Sequence, residues 1–195
     1  MAPGVILYGP PASGKDTITT ELLALDPHYV AYQRLKVGGG KSHGYRVIAT
    51  ERLRELESRG AVLYSNSRYG NVYAVDRESV AALIQAGRIP VLHLGQVQGI
   101  TAVEAFPARW VRVLLWCARA TTAERVAGRG DSDIGDRLRA WDETRRDLRE
   151  HANIQFDAII RTDEVAASTA ARMIHAAVAG SSDPHPADDV LEVDA

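Results

Sequence analysis

Val5-Ile6-Leu7-Tyr8 is a short apolar run that passes without a break into Gly9-Pro10-Pro11-Ala12-Ser13-Gly14-Lys15-Asp16-Thr17. An apolar run of this length closed by Gly and Pro reads as a parallel strand buried on both faces. Beyond the loop, Ile18, Leu22, Leu23 and Leu25 recur at helical spacing until Asp26-Pro27 stops the pattern. Gly-x-x-x-x-Gly-Lys between a strand and a helix is the context a phosphate-binding loop requires. Glycines let backbone N–H groups turn inward around anionic oxygens, and the helix N-terminus adds a positive field. Lys15 can neutralise charge on the terminal phosphates of a nucleotide. The plain alternative is a glycine-rich turn that binds nothing. The expectation is that Gly9, Pro10, Pro11, Ala12, Ser13, Gly14, Lys15, Asp16 and Thr17 hold ATP.

The rest of the chain repeats this rhythm. Apolar strands are expected at Ile89–Leu94, Val111–Trp116 and Ala158–Ile160, with helices at Arg77–Ala86, Thr122–Ala127, Arg137–Glu150 and Glu164–Ala179. Strand–helix alternation argues for an α/β fold with a parallel sheet covered on both faces. Two stretches break the rhythm. Residues 28–75 are rich in Tyr, Arg, Lys and Gly, with strand-like pieces near Arg46–Ile48, Val62–Ser65 and Val72–Ala74, and read as an inserted subdomain. Residues 128–136, beginning GRGDSDIG, are polar and glycine-rich, and read as a lid. The domain is expected over residues 1–180, and the acidic, Pro-containing tail 181–195 is read as disordered.

Composition narrows the partners. A formal net charge of −2 gives no support to nucleic-acid binding, which favours a basic face. No stretch approaches the ~20 apolar residues that span a bilayer, and no secretory leader is legible, so a cytoplasmic location without membrane association is expected. The single Cys117 rules out an internal disulfide framework. The chain is expected as a monomer or homodimer.

Asp16 stands where a serine or threonine commonly supplies a hydroxyl to Mg²⁺. The neighbouring apolar strands, VLHLGQ and VLLWCAR, do not end in an acid. Mg²⁺ is a hard cation that prefers oxygen ligands. Asp16, with Thr17 beside it, is therefore a candidate metal ligand. The alternative is that Asp16 only complements the positive end of the helix.

In chain order, the loop, the tyrosine-bearing Gly70–Val75 (GNVYAV), Val97–Ile100 (VQGI) and Gly128–Leu138 (GRG…DRL) resemble the guanylate-kinase family over roughly residues 4–178. The resemblance implies a P-loop NTPase three-layer sandwich with a parallel sheet, a small acceptor-binding insert and a lid. It also implies an ATP- and Mg²⁺-dependent kinase acting on a small phosphorylated acceptor. At matching positions Arg34, Lys36, Tyr45 and Tyr73 would hold the acceptor's phosphate, and Arg129 and Arg137 would be lid arginines that act with Lys15 on the transferring group. Arg34, Lys36, Lys41 and Arg46 do cluster in sequence with Tyr29, Tyr32 and Tyr45, a set of cations and phenols suited to phosphate, or else a solvated basic face.

The positions that would read guanine depart from the family: Tyr64 falls where a glutamate is expected, Val75 near a hydroxyl, and Gln96 in place of an acid. Tyr64 and Gln96 are kept as candidate substrate contacts. Lys-Asp at the end of the loop also resembles the ribose 1,5-bisphosphate kinases. The acceptor is read as a nucleoside monophosphate, with a phosphorylated sugar or specialised metabolite as the alternative. A non-catalytic guanylate-kinase-like binding module is the rival from another class. His93, alone on an apolar strand, is read as a hydrogen-bonded core residue.

Overall fold

The computed structural model of the protein describes residues 1–40, 42–68, 70–128, 134–180 and 185–186. In chain order the elements are β1 (Pro3–Tyr8), α1 (Lys15–Leu25), β2 (Tyr29–Ala31), β3 (Arg34–Val37), β4 (Tyr45–Val47), α2 (Thr50–Ser58), β5 (Val62–Arg68), β6 (Asn71–Asp76), α3 (Arg77–Gln85), β7 (Ile89–Leu94), α4 (Val97–Glu104), β8 (Arg109–Trp116), α5 (Arg119–Ala127), α6 (Ile134–Glu150), β9 (Gln155–Phe156), β10 (Ala158–Arg161), α7 (Ala167–Val178) and β11 (His185–Pro186).

The central sheet has five strands in the order β10-β8-β1-β7-β2, and every pairing is parallel. Side chains alternate across it, as the period of a strand dictates. Val5 and Leu7 pack with Ile18 and Leu22 of α1 and Ile174 of α7 on one face. Ile6 and Tyr8 pack with Ile100 of α4 and Trp141 and Leu148 of α6 on the other. This is the expected three-layer α/β architecture, and it explains why β1 reads as an unbroken apolar run: both of its faces are core.

The stretch expected as an insert, residues 28–75, divides between two sheets. Its first element, β2, pairs with β7 and is the edge of the central sheet. The remainder forms a second sheet, β4-β3-β6-β5, with its own small core of Leu35, Leu53, Leu56, Ala61 and Ala74. Helix α2 within it was not expected, because only Leu53 and Leu56 are buried in an otherwise charged segment. Within this subdomain Arg46 of β4 forms an ion pair with Asp76 at the end of β6. Asp76 also accepts from Tyr32 Oη (2.8 Å) and, as the N-cap of α3, from Ser79 N (3.0 Å).

Two further expectations are corrected. Within the tail read as disordered, His185–Pro186 pairs antiparallel with β9, which gives that short stretch backbone partners. Of the lid, Gly128 ends α5 and residues 134–136 already belong to α6, while 129–133 lie outside the described residues. Helix α6 is held to the sheet by polar contacts as well as packing. Tyr8 Oη and Val97 N both donate to Asp147 Oδ2, at 2.8 and 2.7 Å. Trp141 Nε1 donates to Cys117 O at 2.9 Å, and its ring lies 5.1 Å from that of Trp116. Among the described residues no helix is long and apolar enough to cross a membrane.

Candidate active site

The loop after β1 is shaped by its backbone. Gly9 adopts φ +153°, and a Cβ there would lie 2.1 Å from the Leu115 carbonyl oxygen, so the loop starts hard against β8. Ala12 (φ 57°) and Gly14 (φ 83°) are both left-handed. Left-handed residues set among right-handed ones turn successive N–H groups to one side and create an anion nest. Gly14 is the N-cap of α1, which adds the positive end of that helix. Lys15 Nζ reaches back to donate to Gly9 O (2.9 Å), Pro10 O (2.7 Å) and Ser13 Oγ (3.1 Å). Burial of this ammonium pushes its pKa down to about 8, and the nearby Asp16 carboxylate offsets only part of that shift.

Two hollows flank the loop. The larger, about 590 Å³, runs from Lys15 and Asp16 to the second sheet and is lined there by Arg34, Lys36, Tyr45 and Tyr73, with Arg137 of α6 at its rim. The pairing of β3 explains the grouping. Arg34 and Lys36 share one face of the strand while Leu35 enters the small core. Arg34 is paired with Tyr45 of β4 and Lys36 with Tyr73 of β6. The Arg34 guanidinium lies 5.0 Å from the Tyr73 ring centre, and Lys36 Nζ lies 5.7 and 6.0 Å from the rings of Tyr45 and Tyr73. Lys36 is buried, and its Nζ donates to Gly39 O at 2.6 Å. The result is a cationic, phenol-faced wall opposite Lys15.

The smaller hollow, about 320 Å³, lies behind the loop and is lined by Ala12, Thr17, Ile18, Arg125, Thr162 and Val165. Its apolar walls and single guanidinium suit a flat heteroaromatic ring. Arg125 holds it together by donating to Ala12 O (2.9 Å), Thr162 Oγ1 (3.2 Å) and Thr162 O (2.6 Å).

Most of the sequence-derived residues meet here. Gly9, Pro11, Ala12, Ser13, Gly14, Lys15, Asp16, Arg34, Lys36, Tyr45, Tyr73 and Arg137 all line the large cleft. Asp16 and Thr17 diverge: Asp16 faces that cleft, and Thr17 lines the smaller hollow. Tyr64 and Gln96 face each other instead of the cleft. Tyr64 is buried, its hydroxyl donates to Gln96 Oε1, and its ring covers Gly99. Arg129 and Lys41 lie outside the described residues. Tyr29 is a core residue, and Tyr32 and Arg46 serve the Asp76 network.

The structure adds residues that the sequence did not single out. Arg68 and Asn66 of β5 and His93 of β7 line the large cleft. Arg68 donates to Glu143 of α6 at 2.7 Å, which ties the second sheet to the helix that carries Arg137. Asn66 Oδ1 is buried and, among the described residues, has no hydrogen-bond partner. Burial and the adjacent Lys15 ammonium hold His93 down at about 4, so its ring is neutral at physiological pH. Among the described residues no group of three or more His, Cys, Asp or Glu could by itself hold a metal.

The guanylate kinase family model matches residues 1–176, the whole of both sheets and the cleft between them. The chain belongs to the guanylate kinase family. It is accordingly an ATP-dependent kinase of the nucleoside-monophosphate-kinase type. The crystal structure of guanylate kinase from Anaplasma phagocytophilum superposes with a TM-score of 0.62 at 17% identity, covering 92% of this chain and 85% of that one. That likeness shows the shared fold. No curated protein sequence is significantly similar to this chain.

Proposed function

We propose that this kinase transfers the γ-phosphoryl group of Mg²⁺-bound ATP to the phosphate of a small acceptor held by Arg34, Lys36, Tyr45 and Tyr73. A single cleft that joins the Lys15 loop to that wall carries the proposal, since two anions brought together need cations on both sides. The nucleoside of ATP occupies the apolar hollow beside Arg125, with the triphosphate on the loop. An acceptor phosphate oxygen attacks the γ phosphorus, the bond to the β-bridging oxygen breaks, and ADP leaves. That oxygen is already ionised, so a general base is not required. Alignment and charge neutralisation do the rest. Lys15 and Arg137, with Arg129 from the lid, balance the charge on the transferring group. Lid closure excludes water, which keeps the phosphoryl group from hydrolysis.

Mg²⁺, when bound, would supply positive charge that offsets the charge developing on the phosphates, and Asp16 is the residue that would hold it. Asp16 fits such an ion by chemistry and place: it is a hard oxygen donor that faces the cleft beside Lys15. Thr17, on the other side of the helix start, is the second oxygen the sequence offers.

For the acceptor, a nucleoside monophosphate is the reading closest to the family. A phosphorylated sugar or other phosphorylated metabolite is the second reading, favoured by one observation: Tyr64, Val75 and Gln96 replace the polar guanine readers, and Tyr64 and Val75 are buried. A base-reading site discriminates through buried hydrogen bonds that must all be paired. ADP release measured against a panel of nucleoside monophosphates and phosphorylated sugars decides between them. Turnover confined to one class names the acceptor. No turnover with any of them, together with a Lys15→Ala variant that binds ATP like the parent, overturns the proposal.

A further inference from the structure

His93 lines the cleft and has no part in the reaction just described. Strand β7 runs parallel to β1 with His93 opposite Leu7, so its ring emerges under the start of α1. Ring Nε2 lies 2.8 Å from Thr19 Oγ1, and ring Nδ1 lies 3.6 Å from Asp16 Oδ1. Residues 16 and 19 are three apart on α1 and therefore share a face. The two ends of this bridge differ: Thr19 is buried, whereas the Asp16 side chain is 87% exposed. Among the described residues, no basic nitrogen other than that of His93 lies within 4.0 Å of that carboxylate.

We propose that His93 is a positioning residue, anchored by Thr19, that turns the Asp16 carboxylate toward magnesium on the bound nucleotide. The inference rests on the metal role of Asp16 given above. One tautomer serves both contacts: Nδ1 carries the proton and faces the carboxylate, and Nε2 accepts from the Thr19 hydroxyl. At 3.6 Å the contact to Asp16 is electrostatic rather than a formed hydrogen bond, enough to bias an otherwise free side chain. Groups just outside a metal's ligands commonly orient those ligands in this way. The strand beside the phosphate loop would then act on the metal through a histidine that aims a carboxylate on the neighbouring helix.

Three variants test this. His93→Asn keeps an N–H donor close to the Nδ1 position. His93→Gln keeps a group that reaches Thr19, and His93→Leu keeps neither. The first readout is calorimetric binding of a non-hydrolysable ATP analogue with and without Mg²⁺, whose ratio isolates the metal's contribution. The second is the Mg²⁺ concentration for half-maximal turnover. For His93→Leu that concentration should rise, and the affinity ratio fall, by about tenfold or more. His93→Asn should restore both to within about twofold of the parent, and His93→Gln should not. In an Asp16→Asn background, His93→Leu should change neither value further. A Leu variant equal to the parent, while Asp16→Asn is impaired, sinks the role of His93 alone. An Asp16→Asn variant equal to the parent sinks the metal reading and this inference with it. An equal loss from His93→Leu with Asp16 present or replaced means that the ring acts elsewhere, and overturns the proposal. If the Leu variant does not fold, the contrast between Asn and Gln decides.

Discussion

The phenol of Tyr64 donates to the side-chain carbonyl of Gln96 at 2.5 Å, so these two side chains satisfy each other. The pair is closed further by Gly99, where an added Cβ would lie 2.8 Å from the Tyr64 ring. Hydrogen bonds spent inside the protein are not available to a substrate.

Tyr64→Phe keeps the ring and removes the donor to Gln96. The expected result is a loss of about 1 kcal/mol of stability in urea unfolding, with the acceptor KM within about twofold of the parent. A large rise in acceptor KM at unchanged stability would instead put Tyr64 in contact with substrate.

Lys15 gives the site a pH signature. The nucleotide phosphates favour its charged form, and its pKa before binding is held at about 8 by burial. Below that value the ammonium is already present. Above it, binding must take up a proton, so ATP affinity should fall by up to about tenfold per pH unit. Calorimetry near pH 9 in buffers of different ionisation heat should show uptake approaching one proton per ATP. Zero uptake would contradict the linkage.

Arg125→Ala removes three hydrogen bonds that join the loop to the end of β10. Charged hydrogen bonds are worth about 1.5–3 kcal/mol each, and part of that holds the ATP hollow in shape. The ATP KM should rise about tenfold or more, with the acceptor KM little changed. Steady-state kinetics with each substrate varied in turn separates the two.

If Arg137 acts as proposed, on charge that develops during transfer, Arg137→Ala should lower kcat by about a hundredfold or more with little effect on ATP affinity. A change confined to KM would assign it to ground-state binding.

Asp76 is the polar joint between the two sheets. Burial pushes its carboxyl up, but hydrogen bonds from Arg46, Ser79 and Tyr32 outweigh burial and hold it below the usual range. Stability from this group is therefore present above the ordinary carboxylate pKa and is lost as pH falls through the depressed value. Asp76→Asn should cost about 2 kcal/mol, less than a fully buried pair, because the Arg46 side chain is 35% exposed. Thermal melts at neutral and acid pH should show the difference between parent and variant shrinking as pH drops.

The central sheet is easy to read in the sequence for a physical reason. Parallel strands covered on both faces are mostly apolar, and β1, β7 and β8 are, apart from His93, Arg109 and Arg112. Elements that bury little are harder. Helix α2 carries charge on most of its surface, and β2, of three residues, joins the sheet through backbone bonds that leave no side-chain pattern. The phosphate loop is local, so nine consecutive residues disclose it. The cation wall is also local, because Arg34 and Lys36 alternate on one strand. His93 is read as a hydrogen-bonded core residue, but its partner Thr19 lies 74 positions away and has no signal near it in the sequence. Nothing near Arg125 in the sequence announces the two carbonyls that it binds.

The tilted pair of indoles formed by Trp116 and Trp141 couples the end of β8 to the helix that carries Arg137. The remaining tryptophan, Trp110, sits near the opposite end of β8, against Gly4. The molecule thus contains its own optical gauge: any swing of α6 during turnover alters the emission of one indole pair against a steady background, without an attached dye.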